Sequence, residues 1–438
     1  MFNLLNTIFT KTSLSFLTQS LWRDEAFTYS LSQQGFGKIL FYTAKDFNPP
    51  LYYLLIKIWV YLFGKSEIAL RSVSLIFYMA TLFVVFLILS ELFRIGLKKK
   101  FIYLLYVAIN PVLVFYAFEA RMYSMLAFFV AFSFFLLIKK NSRLYIIAVI
   151  LGLYTHYFMI FVWLGQVIYL KVYPSREKRH WLYYAIPIMV FLPWALFVLF
   201  QKNSSVYDPF WISLPQIQNL LNLPIIFLTG VKESLLLPYT YLSVIVCIVI
   251  SLIVIRLSKM RIRPYYEKRS NLILLVIWAF FTPIIVFMVS FIKPLFLIRY
   301  FVFSVFGFLI LMIYILERVK NPLRNIILSF LFIVTLYYHQ QTVISQSKTD
   351  LRRKIREIKK LANEKDLLYV SDVLDFFTAQ YYFDENRVYI YGKAYKELPN
   401  YVGKVLIPQH KIALSLPLYP RKAFILKNNG DYNIQAIY

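Results

Sequence analysis

Residues 72–117 read SVSLIFYMATLFVVFLILSELFRIGLKKKFIYLLYVAINPVLVFYA, two apolar blocks parted by the basic knot RIGLKKK at 94–100. About 17–25 mostly apolar residues cross a bilayer as a helix, and loops rich in Lys and Arg stay on the cytoplasmic side. The same alternation runs through most of the chain. Candidate spans fall at 72–93, 101–117, 123–138, 144–156, 157–172, 181–200, 238–256, 271–292, 300–316 and 325–338. The stretch 144–172 is divided because Gly152, Thr155 and His156 lie near its centre and both flanks are basic. Residues 2–20 should supply a further, first span, although they carry Lys11, two Asn and many Ser and Thr. The expected fold is mainly α, a polytopic transmembrane bundle of about ten or eleven spans. Composition agrees: 60% of the 438 residues are hydrophobic and 16% charged, against about 45–50% and about 25% in soluble domains.

The net charge of +27 could suggest a nucleic-acid partner. Its distribution argues for topology instead, and no nucleic acid is expected. The segments RIGLKKK, KKNSR, KVYPSREKRH, RLSKMRIRPYYEKR and ERVKNPLR hold 20 Lys and Arg in 44 residues. The intervening segments 22–70, 118–122, 201–237 and 293–299 hold 10 in 98. The first set is therefore read as cytoplasmic and the second as external, which makes this a multi-pass cell-membrane protein embedded in the lipid bilayer. Residues 51–63 are apolar but too short to span and contain Lys57, so they are read as a helix at the outer interface. The segment 201–237, with Trp211 and few charges, is expected to pack over a cavity. Cys247 is the single cysteine, which excludes an internal disulfide, and the histidines at 156, 180, 339 and 410 are scattered without metal-ligand spacing.

After residue 338 the pattern changes. Residues 339–366 are polar and basic, with helical spacing at Leu351, Ile355, Ile358 and Leu361. LLYVSD, RVYIY, KVLIP and AFIL read as strands and VLDFFTAQYYF as a helix. The chain is thus divided into a membrane domain, 1–338, and a small external α/β domain, 339–438.

Ionisable residues near membrane depth are costly and usually mark function. Asp24 and Glu25 in SLWRDEAFTYS, Glu119 and Arg121 in FEARMYS, His156 in LYTHYF and Arg299 in LFLIRYF each fall at the outer end of a span or in the adjoining loop. Each also has a plainer reading. The acidic pair suits the first turn of a surface helix, Glu119 and Arg121 suit a solvated loop, His156 a packed core position, and Arg299 an interfacial anchor. Their common level favours a joint site.

SLWRDEAFTYS with NPPLYYLLIKIWVYLFGKSEIALR, and then NPVLVFYAFEARMYSM, LYTHYF and the late RY pair, resemble the outer motifs of the GT-C class of membrane glycosyltransferases. The likeness is to the bacterial branch related to protein O-mannosyltransferases and aminoarabinose–lipid A transferase, over about residues 15–310. Relatives often have His before the paired prolines where this chain has Asn48. The resemblance implies transfer of a sugar from a polyprenyl-phosphate carrier, with inversion, to a hydroxyl of a glycan, lipid or protein acceptor at the outer face. Asp24 is then the candidate base, and Glu119 the second acidic residue, placing the acceptor or a divalent cation. Arg299, with Arg121 and His156 behind it, is the candidate for the donor phosphate. Glu25, Asn48, Tyr123 and Tyr300 support the site. No cofactor is required outright. GxGxxG, GxxxxGK[ST] and DxD motifs are absent, in keeping with a lipid-linked donor. The alternative reading is a transporter or flippase of a lipid-linked glycan, which should place its ionisable residues at the bilayer midplane on broken helices.

Overall fold

The longest apolar blocks fold as helices because a backbone in hydrocarbon must satisfy its own N–H and C=O groups. The computed structural model describes residues 11–173, 182–201, 211–231, 264–346, 348–428 and 430–438. Among these, Glu67–Leu92, Arg269–Val289, Ile298–Leu316 and Leu323–Ser345 are long and apolar enough to cross a membrane. Leu97–Ala108 and Pro111–Ala117 pass the same test only as a pair bent by 70°. Tyr123–Lys139, Ser142–Thr155 and Met159–Val172 are shorter apolar helices, and Leu182–Gln201 matches the expected block 181–200. The expected span 238–256 lies outside the described residues. Of 2–20, residues 1–10 lie outside them too, and Ser15–Thr18 forms a single helical turn.

The continuous span expected at 101–117 needs correction. Pro111 has no N–H to give, and Asn110 leaves the helical region. The Asn110 Oδ1 instead accepts from the Val112 and Leu113 N–H groups and starts a new helix. A wider turn at Ile277–Phe281 precedes Pro283, whose ring crowds the carbonyl one turn back. Trp278 lies in this turn; its Nε1–H donates to the Phe303 carbonyl of Ile298–Leu316 at 2.8 Å and its ring stacks on Phe134 of Tyr123–Lys139 at 4.7 Å. Gly307 makes room for it, since a Cβ at 307 would stand 2.6 Å from the indole.

The last long helix runs to Ser345, beyond the expected end at 338. Leu351–Leu361 follows, burying Leu351, Ile355 and Ile358 as their spacing requires but leaving Leu361 exposed. A five-stranded sheet comes next, in the order β3-β2-β1-β4-β5. β1 is Leu367–Val370, β2 Val388–Tyr391, β3 Ile412–Ala413, β4 Ala423–Leu426 and β5 Tyr432–Gln435. β1 pairs in parallel with β2 and β4, β2 with β3, and β5 closes the edge antiparallel to β4. KVLIP is not a strand. Residues 404–406 form a 3₁₀ turn between Gly403, at φ 79°, and the break imposed by Pro408.

Leu51–Phe63 is helical, and Arg23–Ser32 and Phe36–Lys45 fill the segment before it. Arg23–Ser32 packs against both Leu51–Phe63 and the helix Phe376–Tyr382 of the C-terminal α/β unit. The first acidic motif is thereby sandwiched between the bundle and that unit.

Candidate functional site

Asp24 and Glu25 occupy the first turn of Arg23–Ser32, where carboxylates favour the positive end of the helix. The plain capping reading holds for Glu25, whose Oε2 accepts from the Trp22 N–H at 2.8 Å. It is also the hub of a buried network. Arg71 meets it bidentately at 2.8 and 2.7 Å, Lys348 donates at 2.8 Å, and the Ala120 N–H donates at 2.9 Å. Burial alone would push the Glu25 carboxyl up. Arg71 and Lys348 overcome this and hold it well below the usual carboxylate range. Arg71 uses its remaining hydrogens on the carbonyls of Leu17, Gln19 and Ser20.

Asp24 points elsewhere. Its Oδ2 accepts from Arg299 Nη1 at 3.0 Å, joining positions 275 residues apart in the chain. Both side chains remain partly accessible, at 33% for Asp24 and 22% for Arg299. Arg299 lies in the 3₁₀ turn Ile298–Phe301 that leads into the helix Val302–Leu316, and its guanidinium stands over the rings of Trp211 and Tyr300 at 5.0 and 5.5 Å. Its Nε is buried with no partner among the described residues.

The turn 118–122 lies directly behind. Arg121 Nη1 donates to the Asp24 carbonyl and to Thr28 Oγ1, so it ties down the helix carrying Asp24. Glu119 is buried and its Oε2 has no partner among the described residues. Burial pushes the Glu119 carboxyl up, with Glu25 and Asp24 reinforcing the shift against the pull of Lys348 and Arg299. Tyr123, His156 and Tyr300 form a mutual ring cluster, with centroids 5.4–6.4 Å apart. His156 Nδ1 accepts from the Phe158 N–H at the break between Ser142–Thr155 and Met159–Val172. Asn48 is half-buried in the turn before Leu51 and makes no hydrogen bond to this group.

All four motif clusters therefore meet. The sequence did not single out Arg71, although it ends the quoted motif NPPLYYLLIKIWVYLFGKSEIALR. It also missed Lys348, which lay hidden in a generally basic stretch.

A cavity of about 520 Å³ opens beside Arg299. Its wall is largely apolar, from Pro111, Val112, Phe115, Ile226, Val231, Phe296 and Leu297, with Trp211, Tyr116, Thr342 and Gln346 completing it. Of the described part of 201–237, Trp211, Ile226, Gly230 and Val231 line this cavity. Neither Arg121 nor His156 lines it. Among the described residues no group of three His, Cys, Asp or Glu side chains is placed to hold a metal ion. Asp24 and Glu25 already pair with cationic side chains of the chain itself, whereas Glu119 Oε2 is buried without a hydrogen-bond partner among the described residues.

The helical bundle with its C-terminal α/β unit shares its fold with solved membrane-protein structures. No family model and no curated protein matches the sequence. Among solved structures, ArnT from Cupriavidus metallidurans in the apo state is similar at TM-score 0.62 and 13% identity, over 94% of this chain and 90% of that one. The same protein bound to undecaprenyl phosphate gives 0.60 and 12%, over 95% and 91%. An oligosaccharyltransferase from Archaeoglobus fulgidus, in complex with Zn and sulfate, gives 0.49 and 11%, over 96% and 65%.

Proposed function

We propose that the protein is an inverting membrane glycosyltransferase that moves a sugar from a polyprenyl-phosphate carrier to an acceptor hydroxyl at the outer face of the cell membrane. The observation that carries this reading is the Asp24–Arg299 pair beside a largely apolar cavity. A carrier lipid needs apolar wall for its isoprenoid and fixed positive charge for its phosphate. The likeness of fold to a protein solved with undecaprenyl phosphate supports it. The surplus of Lys and Arg on the other set of loops supports an external position for this end of the bundle.

The chemistry follows from the pair. A phosphate entering beside Arg299 competes with the Asp24 carboxylate for the guanidinium and can satisfy the free Nε–H. Asp24, released, accepts the proton of the acceptor hydroxyl as its oxygen attacks the anomeric carbon. The bond from that carbon to the carrier phosphate breaks in the same displacement, configuration inverts, and Arg299 holds the departing phosphate dianion. Glu119 orients a hydroxyl of the sugar or acceptor. Arg121 keeps the base-bearing helix in place, and Tyr123, His156 and Tyr300 form an aromatic seat. In this reading residues 1–338 carry the transfer machinery and 339–438 form an external domain above it.

Arg299→Ala is expected to weaken undecaprenyl phosphate binding by about 10–100-fold, the worth of one charge-assisted contact. Arg299→Lys, which keeps the charge and loses the fork, should fall between it and wild type. Titration of the purified protein with undecaprenyl phosphate reads this directly, and wild-type affinity in both variants would reduce Arg299 to an anchor.

A further inference from the structure

The three consecutive residues Arg23, Asp24 and Glu25 are held by three different parts of the molecule. Successive helical residues are about 100° apart, so Arg23 and Glu25 leave the helix on roughly opposite sides with Asp24 between them. Glu25 is fixed to Arg71 of the bundle, to the Ala120 N–H and to Lys348. Arg23 is fixed to the C-terminal unit: its Nη2 donates to Asp372 Oδ2 and its Nε to Asp375 Oδ1, each at 2.8 Å. The two acceptors are themselves well placed. Asp372 Oδ1 caps the following turn by accepting from the Leu374 N–H at 3.0 Å, and Asp375 is nearly fully enclosed. Burial pushes the Asp375 carboxyl up, and Arg23 pulls against it.

The rest of this face is equally specific. The Leu21 N–H donates to Tyr382 Oη at 2.8 Å, Phe27 meets Phe377 edge-on at 5.4 Å, and Tyr29 meets Tyr381 at 4.9 Å. A Cβ at Gly403 would stand 2.6 Å from the Phe27 ring. Three of these contacts come from Phe376–Tyr382, and the carboxylates of Asp372 and Asp375 are the ion-pair partners of Arg23 among the described residues.

We infer that Arg23 is a positioning residue for transfer, and that the C-terminal unit, through Asp372 and Asp375, sets the orientation of the carboxylate at position 24. This rests on the reading of Asp24 as the base. With Glu25 fixed on one side and the Asp24 carbonyl and Thr28 hydroxyl held by Arg121, freeing Arg23 on the other lets the first turn of the helix shift about these remaining holds. Asp24 then swings away from the line between acceptor and anomeric carbon. Misplacement of a reacting group by about 1 Å can cost about 10²-fold in rate. Arg299 and the cavity belong to other elements and are not moved, so donor affinity should not fall. A C-terminal unit that merely covered the bundle would predict no effect on the rate per folded molecule.

The test uses the full chain in lipid nanodiscs. Undecaprenyl phosphate titration gives affinity and the number of competent sites. Turnover per competent site is measured as release of undecaprenyl phosphate from the undecaprenyl-phosphate sugar that wild type consumes. Arg23→Ala should bind no more weakly than wild type, and up to about fivefold more tightly as Asp24 releases Arg299, and turn over up to about 10²-fold more slowly. Arg23→Lys, able to meet one carboxylate but not both, should recover part of the rate. Asp372→Asn with Asp375→Asn should match Arg23→Ala, and carries the comparison alone should Arg23→Ala not fold. Wild-type turnover per site in Arg23→Ala and in the double variant, with Asp24→Asn inactive, overturns the positioning role alone. Wild-type turnover in Asp24→Asn removes the base and the inference together.

Discussion

Asp24→Asn should fold, bind undecaprenyl phosphate at least as tightly as wild type, and lose at least about two orders of magnitude in transfer rate. The rate loss follows because an acceptor hydroxyl is a poor nucleophile, and a positioned base is worth about 10²–10⁴-fold. The binding result follows from the pair itself. In the free protein the Asp24 carboxylate occupies Arg299 at 3.0 Å, so it competes with the carrier phosphate. The pair is partly solvated and contributes at most about 1 kcal/mol, so removing the competitor should tighten binding by no more than about fivefold. Opposite shifts in affinity and rate from one isosteric change are not expected of a residue that only shapes the loop. Titration and single-turnover transfer on the same preparation measure both. Retention of the rate, or parallel loss of binding and rate, would contradict the assignment.

The second large effect concerns folding. Arg71→Ala should destabilise the protein by about 3–5 kcal/mol, because it leaves the buried Glu25 carboxylate with Lys348 as its one cation and deprives the Leu17, Gln19 and Ser20 carbonyls of a donor. Stabilities of about 5–15 kcal/mol are typical, so much of the folded protein should be lost near physiological temperature. Glu25→Gln is milder alone, since an amide oxygen can still accept from Ala120 or Trp22. Combining Arg71→Met with Glu25→Gln should cost less than the sum of the two, the signature of charges that stabilise each other. Thermal unfolding of the four proteins in detergent decides the matter, and strictly additive losses would show that the network is not coupled.

Much of the site could be read from residue chemistry alone. Asp24, Glu119, Arg121, His156 and Arg299 stood out because charge beside apolar sequence is expensive, and the structure brings all five together. What each one holds could not be read. Arg71 looked like the edge of a span, yet it is the ligand of Glu25. Lys348 and the Asp372–Asp375 pair sit more than 300 residues from their partners, and no local spacing reveals such a contact. The same limit applies to the fold. The long apolar blocks and the 3.6-residue period of Leu351, Ile355 and Ile358 were legible. The 70° bend before Pro111 and the loss of KVLIP as a strand depended on a single proline in one case and a left-handed glycine in the other. The strand β5, with one inward aromatic and three polar or exposed positions, carries almost no alternation to detect.

The most direct measurement of the central claim is product analysis. Purified protein is incubated with a panel of polyprenyl-phosphate sugars and envelope extract, and both the mass and the anomeric configuration of the product are determined. The account predicts a glycosylated acceptor with inverted configuration and stoichiometric release of polyprenyl phosphate, both abolished by Asp24→Asn. A product of retained configuration, or donors moved intact across the membrane with no sugar transferred, would contradict it.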